Sequence, residues 1–493
     1  SGGKIFFSGI FILIRGNNTF VKGCCYADCK EDRRNHRHAE KRLRAEESFD
    51  LIYRTMTIGG KGACLFFIDG LVKDEVMEKI MEFFYSAKPE DVTDAHSFVK
   101  SSVPYIEVAL SDDEDLICTN ILSGILVLVV DGFDKAISID VRTYPQRDSS
   151  EPDRDKVIVG SRDGFVETLV ANTALIRRRI RNPSLTMKIL SVGSLSKTDV
   201  VLCYMDDHVD HALLNKLLKK IQDAPVESLT MNQQSLMEAM HRTRWYNPFP
   251  KFKYTERPDT AAASVLEGNI VILVDNSPSA VIVPTSIFDI IEEADDYYFP
   301  PITGTYLRLS RYLISLFTLV VTPLWLLALQ NPQWVPELFQ FTVQIEEPVY
   351  IPIFWQLILL EIAIDGLRLA SLNTPSSLTT ALSVIAGIVL SDFAVKSGWF
   401  NMQSLLYMAF VSIANYSQPS YELGYALKFL RVLLLVLTLL FNLWGFLAGL
   451  VLIFILMILN KTISGKSYLY PLIPFNGKEL KKKLIRTRLH VKY

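Results

Sequence analysis

No paired Cys-x-x-Cys, no His-Glu-x-x-His and no complete Gly-rich phosphate loop occurs in these 493 residues. Their absence excludes the commonest motif-borne zinc, metalloprotease and nucleotide sites. The nearest approach to a phosphate loop, "SGKS" at 464–467, has Asn460 where the first glycine would stand. "GSLSK" at 193–197 lacks the pattern of a nucleophile elbow. Cysteine is scarce: six, at 24, 25, 29, 64, 118 and 203, without regular spacing. That fits a reducing compartment better than a disulfide scaffold. Net charge is only −2, so the total points to no nucleic acid and no strongly charged partner. The chain is therefore expected not to be an enzyme and to need no cofactor and no metal. Cys24, Cys25, Cys29, His36 and His38 lie close together, but their spacing matches no zinc finger. Residues 1–45 read instead as an atypical, basic, poorly ordered extension. Its apolar start, 4–14, is too short to span a bilayer and is followed by no clear cleavage site, so it is not read as a signal peptide.

What is present is a chain of two characters. Charges run throughout 46–300, whereas long apolar runs dominate 309–459. In the first part, strand and helix signals alternate. "ACLFFIDGLV" (63–72) is an apolar strand ending in Asp-Gly, and the stretch 73–87 repeats Val76, Ile80, Phe83 and Phe84 at helical spacing. Residues 124–141 form a hairpin turning near Asp131-Gly132. A Pro-, Ser- and charge-dense linker follows at 144–157. Beyond it the signals recur. A helix over 164–180 puts Phe165, Leu169, Thr173, Ile176 and Ile180 on one face, two strands and a helix at 211–224 come next, and a second hairpin over 268–285 turns at Asn276-Ser277-Pro278. The expected division is 1–45 extension, 46–148 first α/β subdomain, 149–300 second α/β subdomain, 301–465 helical membrane domain and 466–493 basic tail. The recurrence hints at an internal duplication, although the two units share little sequence. Arg147, Asp153, Arg154 and Arg162 are expected to pair between subdomains or with the membrane half. The basic run Arg177, Arg178, Arg179 and Arg181 has the charge to bind phosphate or anionic lipid, but reads rather as a solvated helix face paired with acids of 151–167.

Five apolar stretches are candidate spans: 309–330, 349–372, 376–395, 400–417 and 429–459. The loop 331–348 carries three Glu and no Lys or Arg, whereas the tail from Lys478 carries seven Lys/Arg against one Glu. Both termini are therefore expected on the cytoplasmic side, which requires an even number of crossings. With five candidates, 400–417 is read as half-buried or re-entrant.

Two features inside these spans call for a function. Glu361, Asp365 and Arg368 fall at i, i+4 and i+7, on one helix face within an otherwise uncharged run. Charge at bilayer depth costs ~2.5–3.5 kcal/mol by insertion scales unless it is paired. Asp365 and Arg368 can clamp each other near the inner edge; Glu361, one turn deeper, is the candidate for facing an ion path or a partner subunit. The second feature is a stripe of small residues, Ser376, Thr380, Ser383, Gly387 and Ser391, with Val384 beside it. Such a stripe lets helices pack closely, or lines a narrow polar pore in a ring of subunits.

The segments "FIDGLVKDEV" (67–76), 143–190, "SKTDVVLCYMD" (196–206), "DNSPSAVIVPT" (275–285), "DYYFPPITGTYLRLSRYLI" (296–314) and "LYPLIPFNGKEL" (469–480) resemble the A-subunit family of spore germinant receptors. The resemblance covers about 46–485. "EIAIDGLRLASLNTP" (361–375) and "SDFAVKSGWF" (391–400) are similar to a side branch of it. It implies a multi-pass protein of the spore inner membrane, an α+β soluble half joined to an α-helical membrane half. It further implies a homo-oligomer that passes monovalent cations early in germination, in company with other inner-membrane germination subunits. A non-conducting receptor or assembly subunit, binding a ligand or partner through the soluble half, is the alternative.

Overall fold

The computed structural model describes residues 43, 45, 47–143, 160–241, 247–345, 350–373 and 393–486, with single positions 375, 378, 384 and 387 between. The chain divides into two units, one built from 51–143 and one that holds 47–50 and everything after 144.

The first unit opens with a hairpin that the sequence signals passed over. β1 (Leu51–Ile58) pairs antiparallel with β2 (Lys61–Ile68) across Gly59-Gly60. Both glycines have positive φ, 52° and 81°, which a two-residue primed turn requires. α1 (Asp74–Ser86), α2 (Ala95–Ser102), β3 (Val108–Ser111), α3 (Glu114–Leu122), β4 (Leu126–Val130) and β5 (Ala136–Ile139) follow. The sheet order is β1-β2-β4-β5-β3. Ile58, Leu65, Leu128, Ile137, Phe84 and Phe98 meet in one fully buried core. Of the expected apolar helix face, Ile80 and Phe84 are buried, whereas Phe83 points outward.

The second unit starts with α4 (Leu169–Arg179), β6 (Leu185–Val192), β7 (Thr198–Met205), α5 (His211–Gln222), α6 (Asn232–Met240), β8 (Lys253–Thr255), α7 (Pro258–Leu266), β9 (Ile270–Val274) and β10 (Ala280–Val283). Its sheet order, β6-β7-β9-β10-β8, repeats that of the first sheet position by position. The two sheets thus share a topology that their sequences hide. Both faces of the second sheet are covered, which explains why β9 reads "IVILV" without alternation. Ile270 and Ile272 pack against α5 and α6, whereas Val271 and Leu273 pack against α4 and α7. Arg177 corrects the expectation of a solvated basic face. It is 1% exposed and donates to both carboxylate oxygens of Asp50, at 2.8 and 3.0 Å. Arg179 does reach an acid of the expected stretch, Asp163, at 3.1 Å.

After two short helices, α8 (Ile287–Ile291) and α9 (Asp295–Tyr298), the apolar half begins with α10 (Pro301–Gln330). α11 (Ile353–Asn373), α12 (Met402–Tyr416), α13 (Tyr421–Leu459) and the tail helix α14 (Gly477–Leu484) complete it. α10 and α13 are long and apolar enough to cross a membrane by length and composition. Reading 429–459 as a single span is corrected here. Asn442 leaves the helix with φ 50° and ψ −133°, and the chain folds back on itself. A Cβ on Gly445 would stand 1.9 Å from the Leu437 carbonyl oxygen, and one on Gly449 would stand 2.5 Å from the Leu434 side chain. Only glycine permits that approach between antiparallel arms. The arms, 421–441 and 443–459, are about 31 and 25 Å long at 1.5 Å per residue. At their tip the Asn331 amide donates to Asn442 Oδ1 at 2.6 Å, which ties the end of α10 to the turn.

Candidate functional site: two buried ionic clusters

The apolar half closes around charge. α11 carries Glu361 and Asp365 one turn apart, and α13 carries Lys428 and Arg431 at i and i+3. Each pair occupies one helix face, and the two faces meet. Arg431 is 1% exposed; its Nε donates to Glu361 Oε1 at 2.8 Å, a second guanidinium nitrogen reaches the same oxygen, and the third donates to the Thr318 carbonyl of α10 at 2.8 Å. Lys428 donates to the carboxylate of Asp365 and stands 3.6 Å from Glu361 Oε2. Two acids and two bases cancel, and Glu361, Lys428 and Arg431 are all buried.

This arrangement differs from the expected one in its partners. The carboxylate of Asp365 goes to Lys428. The guanidinium of Arg368 lies over the rings of Tyr421, Tyr425 and Tyr416, at 4.5, 5.1 and 5.7 Å from their centroids. Such cation–π contacts hold an arginine without consuming a carboxylate. Glu361 faces Arg431 rather than an open path. Lys428 and Arg431 are the residues that sequence reasoning missed. Their signal was legible: two bases within an apolar run, with the spacing and opposite sign of the acids on α11.

The second cluster lies where α10 begins. Arg308, 1% exposed, donates to Glu292 Oε1 at 2.9 Å and to Asp296 Oδ2 at 3.2 Å. It also donates to the carbonyls of Lys482 and Lys483, at 2.9 and 3.2 Å. Arg311 reaches Asp296 at 2.5 Å and Glu293 at 2.7 Å. Lys483 bridges Asp289 and Glu292 at 2.7 and 3.0 Å. Lys253 from β8 caps the end of α8, donating to the carbonyls of Asp289 and Glu292. The tail, the second sheet and α10 are thus joined through a few fully used charges. A cavity of about 160 Å³ opens beside this junction, lined in part by Lys253, Asp259, Glu267, Asp289, Tyr297 and Lys483.

Burial alone would raise the pKa of Glu292, but Lys483, Lys253 and Arg308 outweigh it and bring the group from 4.5 down to about 2. A carboxylate with a depressed folded pKa adds stability that is present above its unfolded value and is lost as pH falls towards the folded one. Acidification from pH 4.5 to 2 is therefore expected to loosen the junction. Thermal midpoints of the native chain and of Glu292→Gln, measured across that range, check this. The native midpoint should fall more steeply, and parallel curves would remove Glu292 from the account.

The other predicted positions are less gathered. Arg162 is exposed ahead of α4. Val384 is 58% exposed, and a Cβ on Gly387 would meet nothing within 4 Å. Arg147, Asp153, Arg154, Ser376, Thr380, Ser383 and Ser391 lie outside the described residues. So do Cys24, Cys25, Cys29, His36 and His38, whereas Cys64, Cys118 and Cys203 are buried and in no disulfide.

Comparison with known proteins shows what the chain is similar to. Residues 39–493 match the family model described as Bacillus/Clostridium GerA spore germination protein. Stage V sporulation protein AF of Bacillus subtilis is 37% identical over 456 residues, 92% of this chain and 92% of its own length. An uncharacterized membrane protein of the same organism, YfkQ, is 28% identical over 90% of this chain and 87% of its own. The crystal structure of the N-terminal domain of the A subunit of the Bacillus megaterium spore germinant receptor GerK3 covers 51% of this chain and 93% of its own, at 24% identity and a TM-score of 0.39.

Proposed function

Because the chain belongs to the Bacillus/Clostridium GerA spore germination protein family, we propose that it acts in the spore's inner membrane as one subunit of an oligomer that passes monovalent cations during germination. No catalysis is assigned to it. The observation that carries this reading is the apolar half itself. Its long helices present large apolar side chains such as Leu313, Phe317, Phe429, Trp444 and Phe454 outward, and keep Arg308, Glu361, Lys428 and Arg431 inside. An exterior of this kind suits lipid and is rare on soluble proteins. The chain enters and leaves this half at one end. Asn460, just past α13, accepts from Asn247 and Lys251 of the sheet side, and the Arg486 amide donates to Thr305 near the start of α10. That supports an even number of crossings with both termini cytoplasmic: the hairpin at Asn442 makes two arms of the last apolar stretch and brings the five candidates to six, so 400–417 counts as a crossing rather than a re-entrant helix, with Asn401 bonded to Gln356 near the start of α11 and Tyr416 beside Arg368 near its end.

The self-neutralised cluster of Glu361, Asp365, Lys428 and Arg431 offers no free carboxylate to a passing ion. The cation path is accordingly assigned between copies of the chain, along the face that carries Ser376, Thr380, Ser383, Val384, Gly387 and Ser391. A second reading has its own support. The cavity beside Lys253 and Lys483 favours a non-conducting receptor subunit that takes a ligand from the soluble side. Conductance of the purified full chain in planar bilayers separates the two. The channel reading expects cation current that Ser383→Trp abolishes while oligomer yield stays unchanged. Absence of current from a well-assembled oligomer, or current that merely tracks yield, would remove the channel assignment.

A further inference from the structure

We infer that the segment following α13 forms a docking surface for anionic phospholipid headgroups at the cytoplasmic rim of the membrane, an inference that rests on the membrane reading above. The level of this segment is fixed at two points. α13 ends at Leu459, and a small hairpin follows at once, with Lys461 bridged to Ser467 and the Thr462 amide donating to the Lys466 carbonyl at 2.9 Å. Lys216 of α5 bonds the Ile463 carbonyl at 3.0 Å, which holds this hairpin against the sheet side. α14 is held to α10 at Arg308, and the Tyr312 hydroxyl donates to the Lys483 carbonyl at 3.4 Å. Arg311 is the last charge on α10; from Tyr312 to Gln330 the helix carries none. The tail helix therefore lies at the boundary where charge gives way to the apolar run, which is where headgroups sit.

The chemistry of the segment matches that level. Lys461, Lys466, Lys478, Lys481 and Lys482 are exposed. Lys482 contacts Glu479 at 3.1 Å and Lys466 lies over the Tyr470 ring. Among the described residues, Lys461, Lys478 and Lys481 have no carboxylate partner. Between these lysines stand large apolar side chains that face outward: Phe475, 75% exposed, with Leu472 and Ile485 at 39% and 44%. Exposed lysines interleaved with exposed apolar groups fit an interface in which acyl chains take the apolar groups and phosphates take the ammonium groups. An acidic protein or a nucleic acid would match the lysines and leave Phe475 and Leu472 without a counterpart.

Native mass spectrometry of the purified full chain in neutral detergent tests this. The probes are phosphatidylglycerol and phosphatidylcholine with identical acyl chains. The chain should retain phosphatidylglycerol preferentially. Replacing Lys461, Lys466, Lys478 and Lys481 together by Gln should weaken its retention by about fivefold per lysine. A control in which Lys73, Lys79, Lys88 and Lys100 of the first unit become Gln should retain it as the native chain does. Phe475→Ala should lower retention of both lipids, and glycerol phosphate, a headgroup without chains, should displace neither. Equal retention of the two lipids, an unchanged quadruple variant, or full displacement by glycerol phosphate would each overturn the inference. Failure of the membrane reading would look different: the chain would stay soluble without detergent and would not float with neutral vesicles, and both proposals would fall together.

Discussion

Replacing Arg431 by Met is expected to destabilise the full chain by about 3–5 kcal/mol, the cost of leaving a buried partner charge uncompensated. Glu361 is 5% exposed and accepts two bonds from Arg431. Lys428, at 3.6 Å from the other carboxylate oxygen, cannot replace them, because its ammonium is already committed to Asp365 and to the Glu361 carbonyl. The substitution also frees the Thr318 carbonyl, so α10, α11 and α13 lose their common point. The double variant Glu361→Leu/Arg431→Met should recover most of the loss, since exchanging a buried ion pair for apolar groups of similar volume is often neutral or favourable. Thermal unfolding of the detergent-purified single and double variants is the measurement. If the single variant melts like the native chain, the cluster is not the internal tie described here. If the double variant is no better than the single, the charges serve something beyond each other.

Arg308→Met should rank next, with a loss again of about 3–5 kcal/mol and a different symptom. Among the described residues, Arg308 is the one side chain that joins Glu292, Asp296 and the tail carbonyls of Lys482 and Lys483. Asp296, fully buried, would keep only Arg311 of these two guanidinium partners, and α14 would lose its principal bonds to α10. The tail should therefore become cleavable by trypsin under conditions in which the native chain resists. Arg308→Lys should recover only part of the loss, because an ammonium cannot present the planar fork that spans two carboxylates and two carbonyls. A tail equally resistant in the Met variant would show that the junction is held by Lys483 and Arg486 without Arg308.

The sequence by itself determined the division into a charged first part and an apolar second part, the two central hairpins, and the two acids, Glu361 and Asp365, set within an apolar run. These follow from local rules. Apolar runs, turn residues such as Asp131-Gly132, and i, i+4 spacing are written in consecutive residues. Tertiary structure alone decided the partners. Glu361 could have faced water, a second subunit or Asp365's neighbours; Arg431, 70 positions away, meets it because α11 and α13 pack together. The break of α13 had the same character. An Asn in an apolar run is a weak signal until a second Asn, at 331, stands beside the tip and Gly445 and Gly449 admit the returning arm. The repeated strand order was also out of reach of the sequence, since many apolar sequences satisfy the same pairing. Arg177, read as a solvated base, became a buried one because Asp50 lies 127 positions away along the chain. A local pattern gives each residue's type and periodicity, but which distant charge neutralises it depends on packing, and packing decides whether a charge inside an apolar half serves as a path or as a lock.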